Sequence, residues 1–157
     1  MGNDLRVLRE AGASVNVGLV DDLGHPVVGR AFGVRALTDD PLRIDLLVSE
    51  ALLSSLGRGP GSPPFAIAVT VSAIALFRSI QLKGTAVALQ LAEPDHVEHA
   101  EADNAVLWDA LHQRAGAPRE PFERVMPRHL LTVTVDVAEA FDQTPGPGAG
   151  RALGAPS

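Results

Sequence analysis

Between Phe65 and Leu91 the chain holds two long apolar β-type runs, Phe65 to Leu76 and Thr85 to Leu91, joined by Phe77-Arg78-Ser79-Ile80-Gln81-Leu82-Lys83-Gly84. Side chains alternate faces along a strand, so Ser79, Gln81 and Lys83 share one face while Arg78, Ile80 and Leu82 share the other. Long apolar strands need a sheet that covers them. A polar, partly cationic row beside that sheet needs either solvent or a partner, because an unpaired buried polar group is costly. An anionic ligand lying along the row is one such partner.

The rest of the chain repeats the β pattern. Ala13 to Val20, Val27 to Leu37 and Arg43 to Val48 read as strands separated by Asp/Gly/Pro turns. Leu130 to Val137 alternates strictly, with Leu131, Val133, Val135 and Val137 against Leu130, Thr132, Thr134 and Asp136. Helices are expected over Asn3 to Gly12, over Ser49 to Leu56 with Ser49 as a cap, and from Asp95 to Gly116 with Asp95 and Glu98 forming a capping box. One more helical turn fits Phe122 to Met126. Such short links favour antiparallel pairing. A six-stranded, mainly β, closed or nearly closed barrel with two or three helices hides the strand edges. Residues 1–143 read as one domain and residues 144–157 as an irregular Gly/Pro-rich tail.

Composition narrows the function. The net charge is −6 and no Lys/Arg run occurs, which argues against a nucleic-acid partner. The chain has no cysteine, so disulfides and thiolate chemistry are excluded. No apolar run is long enough for a membrane-crossing helix and no signal pattern opens the chain, so a cytoplasmic location is expected. High Ala, Gly, Pro and Arg usage is compatible with a GC-rich bacterial source.

His96 and His99, with Asp95, Glu98 and Asp103 nearby, could form a metal cluster, but a solvated first helical turn is the better reading and no metal is assigned. Gly146 to Gly150 lacks the Lys-Ser/Thr ending of a phosphate loop. No Gly-x-Ser-x-Gly elbow occurs. No catalytic residue can be assigned. Arg30, flanked by Gly29, Ala31 and Gly33, has small neighbours that let something approach the backbone. Together Arg30, Arg78 and Lys83 could meet a phosphate with charge-assisted hydrogen bonds, with Ser79 and Gln81 as neutral donors.

Gly24-His25-Pro26-Val27-Val28-Gly29-Arg30, Leu46-Leu47-Val48-Ser49 and Arg78-Ser79-Ile80-Gln81-Leu82-Lys83-Gly84, taken in order, resemble the FMN-binding split-barrel family, the pyridoxamine 5′-phosphate oxidase-like proteins. The resemblance spans roughly residues 13 to 140. It implies a six-stranded antiparallel split barrel, a homodimer with FMN (or a related flavin or deazaflavin) at the interface, and oxidoreductase chemistry on a small molecule. It places Arg30, Ser49, Arg78, Ser79, Gln81 and Lys83 near the phosphate and ribityl chain, and Leu47 and Val48 against the flavin ring. Two departures are visible. The basic pair expected after the third strand is replaced by Ser49-Glu50-Ala51, and the tail has Arg151 without the His two residues on. The alternative is therefore a non-catalytic dimeric binding protein on the same fold, its flavin lost or exchanged.

Overall fold

The computed structural model describes residues 1–39, 42–118, 120–123 and 126–153, with the side chains of residues 39, 122 and 123 left aside. Six strands close into an antiparallel barrel in the order β1-β2-β3-β6-β5-β4. They are β1 (Ala13–Val20), β2 (Pro26–Asp39), β3 (Leu42–Ser49), β4 (Phe65–Ala73), β5 (Arg78–Leu91) and β6 (Leu130–Asp142). Closure removes the free edges that six apolar strands would otherwise present. Helices α1 (Gly2–Glu10), α2 (Glu50–Ser55), α3 (Pro94–Ala115) and the short α4 (Glu120–Glu123) complete the fold. None of the described helices is long and apolar enough to cross a membrane.

The period-two pattern sets the core. Val15, Val17, Ile44, Leu46, Val69, Val71, Ile80, Leu82 and Val133 point inward and are almost fully buried. Leu5 and Leu8 of α1, with Leu53 and Leu56 around α2, join the same cluster. Burying each such side chain contributes about 1.5–3 kcal/mol.

A second, smaller cluster lies outside the barrel. Phe32, Leu47 and Leu130 pack beneath Ala100 of α3. Gly33 permits this contact, since a Cβ there would come within 2.9 Å of the Ala100 Cβ. Gly29 makes room for Leu52, whose methyl group would collide with any Cβ at that position. The small residues around Arg30 thus admit the protein's own helices.

Four expectations change in detail. Phe65 to Leu76 is not one strand: it ends at Ala73, and Ile74–Leu76 forms a 3-10 turn. Phe77 to Leu91 is then nearly all one strand, starting at Arg78. Asp95 is not the cap of α3; Glu93 holds that position, Pro94 opens the helix, and no side chain caps it. The tail is not wholly irregular, because Leu153 N–H donates to the Ala140 carbonyl at 2.8 Å and Ala152 bridges to Phe141. Gly116 ends α3 in the left-handed conformation as expected (φ 63).

Candidate functional site

Strand register places the expected site residues around the barrel. Arg30 pairs with Asn16, Asn16 with Thr70, and Thr70 with Gln81, so these four form one outward row. Ser14, Ser72 and Ser79 form the adjacent row. Lys83 shares a third row with Ala68, Gly18 and Val28. Arg30 and Gln81 are three strand spacings apart, roughly 14 Å. The six polar candidates do not converge on one point.

Each has its own surroundings. Arg30 lies beneath α3, its guanidinium 4.6 Å from the Trp108 ring centre and 5.4 Å from that of Phe32. Its Nη2 donates to Asn104 Oδ1 at 2.9 Å, and its Nε is buried without a partner. No carboxylate pairs with it among the described residues, and burial lowers its pKa. Arg78 stands at the mouth of the barrel and donates to Asp4 Oδ1 at 2.8 Å. Ser79 and Ser72 hydroxyls share a 2.7 Å hydrogen bond. Gln81 accepts from Gln143 Nε2 at 3.5 Å. The Lys83 ammonium sits 4.8 Å from the Phe141 ring centre. Ser49 precedes α2 with no side-chain capping bond. Leu47 is sealed under α3 and Val48 within the barrel core, so neither side chain offers surface to a ligand here.

Two of these residues, Arg78 and Ser79, do meet at a cavity. A cleft of about 410 Å³ opens between the C-terminal half of α3, the 3-10 turn and the start of β5. Its walls include Ile74, Phe77, Leu107, Leu111 and Pro145. Ser14, Ser72, Ser79, Arg78 and Gln143 supply its polar groups. That volume and mixture suit a small-molecule site. Arg78 and Ser79 line it directly, and Gln81 reaches it through Gln143. Arg30, Ser49, Leu47, Val48 and Lys83 do not line it.

Phe77 marks the lip of the cleft. It adopts the left-handed conformation (φ 49, ψ 38) and its ring is 72% exposed. A bulky L-residue is uncommon there and costs on the order of 1–2 kcal/mol. Sequence reasoning passed over Phe77, Leu111 and Gln143. The available signal was the 3-10 turn, visible as a non-alternating Ile74-Ala75-Leu76-Phe77 between two alternating runs.

The opposite half of α3 is closed. Asn104 donates to the Phe32 carbonyl at 2.6 Å and the Ala100 carbonyl at 2.7 Å. His96, expected on a solvated turn, is 3% exposed, with Nδ1 3.5 Å from Thr132 Oγ1 and Nε2 unpartnered. Burial, then the charge of Arg35, holds its pKa below the ordinary value. A groove of about 340 Å³ beside it is lined by paired charges, Arg9 with Asp103 at 3.3 Å and Arg35 with Asp45 at 3.0 Å. Among the described residues no cluster of three metal-ligating side chains occurs.

No protein-family model matches the chain, and no curated protein matches it. Solved structures do. HupZ from Group A Streptococcus superposes with a TM-score of 0.53 at 14% identity, covering 96% of this chain and 99% of that one. A pyridoxamine 5′-phosphate oxidase-related, FMN binding protein from Nostoc punctiforme superposes at 0.46 with 15% identity, covering 91% and 80%. HutZ, the heme storage protein from Vibrio cholerae, superposes at 0.42 with 16% identity, covering 89% and 92%. The chain thus shares its six-stranded barrel fold with HupZ, and its structural neighbours include pyridoxamine 5′-phosphate oxidase-like proteins.

Proposed function

We propose that the protein binds a flavin in the cleft between α3, Phe77 and β5, and acts as a flavin-dependent oxidoreductase on a small molecule. The observation carrying this reading is the cleft itself: apolar walls of small-molecule size, with hydroxyls and one guanidinium on one side. Phe77, Leu107 and Leu111 would hold a flat ring, and the Ser72–Ser79 pair and Gln143 would orient its polar edge. When bound, a flavin supplies hydride or electron transfer. Among the described lining residues only Arg78 carries an ionisable group, and a guanidinium does not exchange protons near neutral pH. The chain's own contribution is therefore binding, orientation and exclusion of water. The resemblance implies FMN; the cleft fits the ring better than the phosphate, since Arg78 already has Asp4 as a partner.

That pairing favours a second reading, a non-catalytic binding protein on the same fold. A homodimer is proposed under either reading. Val28 on β2 is 76% exposed and shares its outward row with Gly18, Ala68 and, at the far end, Lys83, a surface that a second copy would cover. Sedimentation at micromolar concentration tests this, and a strict monomer contradicts it.

Absorbance of the purified protein tests the cofactor. Flavin bands, or saturable uptake of added FMN, riboflavin or deazaflavin, are expected. A colourless protein indifferent to all three overturns the flavin reading. Turnover with a reductant and an acceptor separates the enzyme from the binding protein.

A further inference from the structure

We propose that the cleft selects a flat ligand carrying at most one negative charge and rejects a phosphate dianion, with Asp4 setting that preference. This rests on the flavin reading above and narrows it. Arg78 is the one cation lining the cleft among the described residues. Its Nη2 is held by Asp4 Oδ1 at 2.8 Å. Asp142 acts on the same guanidinium through its field.

Two carboxylates therefore act on Arg78, each with a second cation near it. Asp142 is fixed by the Thr144 N–H at 2.9 Å, with Arg151 3.9 Å away. Asp4 has the Met1 amino group 3.8 Å from its other oxygen. A dianion approaching Arg78 would meet repulsion from Asp4 and Asp142 that offsets part of the attraction, and it would still lose its hydration. A neutral ring meets neither cost.

The remaining donors suit an uncharged polar edge. Among the described residues only Asp4, at Nη2, is bonded to the Arg78 guanidinium, which leaves Nε and Nη1 for a carbonyl. One hydroxyl of the Ser72–Ser79 pair must donate to the other, which leaves one hydroxyl proton of that pair, beside the Ser14 hydroxyl, for a ligand. Arg30, beneath Trp108, and Arg114, 5.9 Å from the Phe77 ring centre, are not among the described residues that line the cleft.

Riboflavin and FMN carry the same ring and differ by the phosphate, so their affinity ratio reads the preference directly. Equilibrium titrations of wild type and Asp4→Asn with both flavins form the experiment. Wild type should bind riboflavin at least as tightly as FMN. Asp4→Asn should tighten FMN about tenfold and leave riboflavin unchanged. A second arm needs no variant. The phosphate's second pKa is about 6, so lowering the pH from about 8 to 5 should strengthen FMN relative to riboflavin in wild type. FMN binding wild type ten times tighter than riboflavin, or ratios unmoved by both variant and pH, overturns the proposal and leaves the flavin reading standing. Absence of binding by either flavin, in wild type and variant alike, overturns both.

Discussion

Arg30 and Arg78 are the same residue type, both on the barrel, both expected on sequence grounds to meet one phosphate. The fold treats them in opposite ways. Arg30 is half-buried beneath α3, against an aromatic ring and a neutral amide, with no carboxylate paired to it among the described residues. Arg78 is open at the cleft and held by an acid. A half-buried cation with no paired carboxylate serves helix docking, whereas a half-buried cation paired to an acid at the cleft sits where a ligand can compete. The two halves of α3 show the same division. Its N-terminal half presses Ala100 and Asn104 onto β2, while in its C-terminal half Leu107, buried and packed close to Gly12, and Leu111 wall the cleft.

The sharpest way to break this comparison is at Asn104. Asn104→Leu removes the amide that holds Arg30 and satisfies the Phe32 carbonyl, so it should cost about 3 kcal/mol of unfolding free energy by urea titration. A loss under about 1 kcal/mol would show that Arg30 is not anchored there. On the open half, Leu111→Trp fills the cleft. It should reduce flavin affinity about tenfold, or 1.4 kcal/mol, with the melting temperature nearly unchanged.

How far sequence could separate the two halves depends on what each residue touches. The β6 alternation was legible in the inward row Leu131, Val133, Val135 and Val137, although Leu130 and Thr132 on the other face are buried too, so the strand is not half-buried along its whole length. The placement of α3 was not. His96 sits among Asp95, Glu98 and His99, a pattern that looks solvated, yet its burial is set by Thr132 on a strand 36 residues away. Arg30 and Arg78 look alike in the chain because their partners, Asn104 and Asp4, are each 74 positions distant. Gly29 and Gly33 correctly signalled close approach, but nothing local identified the visitors as Leu52 and Ala100.

His96 gives a pH test of the sealed half. Its folded pKa lies below the ordinary 6.5, so the folded state binds that proton less readily than the unfolded chain. Stability from this site is full above about 6.5 and is lost as pH falls towards the folded value. Asp45 and Asp95 favour protonation, Arg35 and His99 oppose it, and burial outweighs them all. His96→Leu should flatten this part of the stability–pH curve; an unchanged slope would place the titrating group elsewhere. The smallest effect belongs to the open half. Arg78→Gln breaks an ion pair whose side chains are 39% and 37% exposed, and should cost less than about 1 kcal/mol. A larger loss would make Arg78 structural, as Arg30 is.

The central claim is that the open end of α3 forms the ligand site. It is tested most directly by titrating riboflavin fluorescence with wild-type protein and with Leu111→Trp under identical conditions. Saturable quenching by wild type that weakens tenfold or more in the variant is the predicted result. Equal binding by the two proteins would contradict it and move the site away from the cleft.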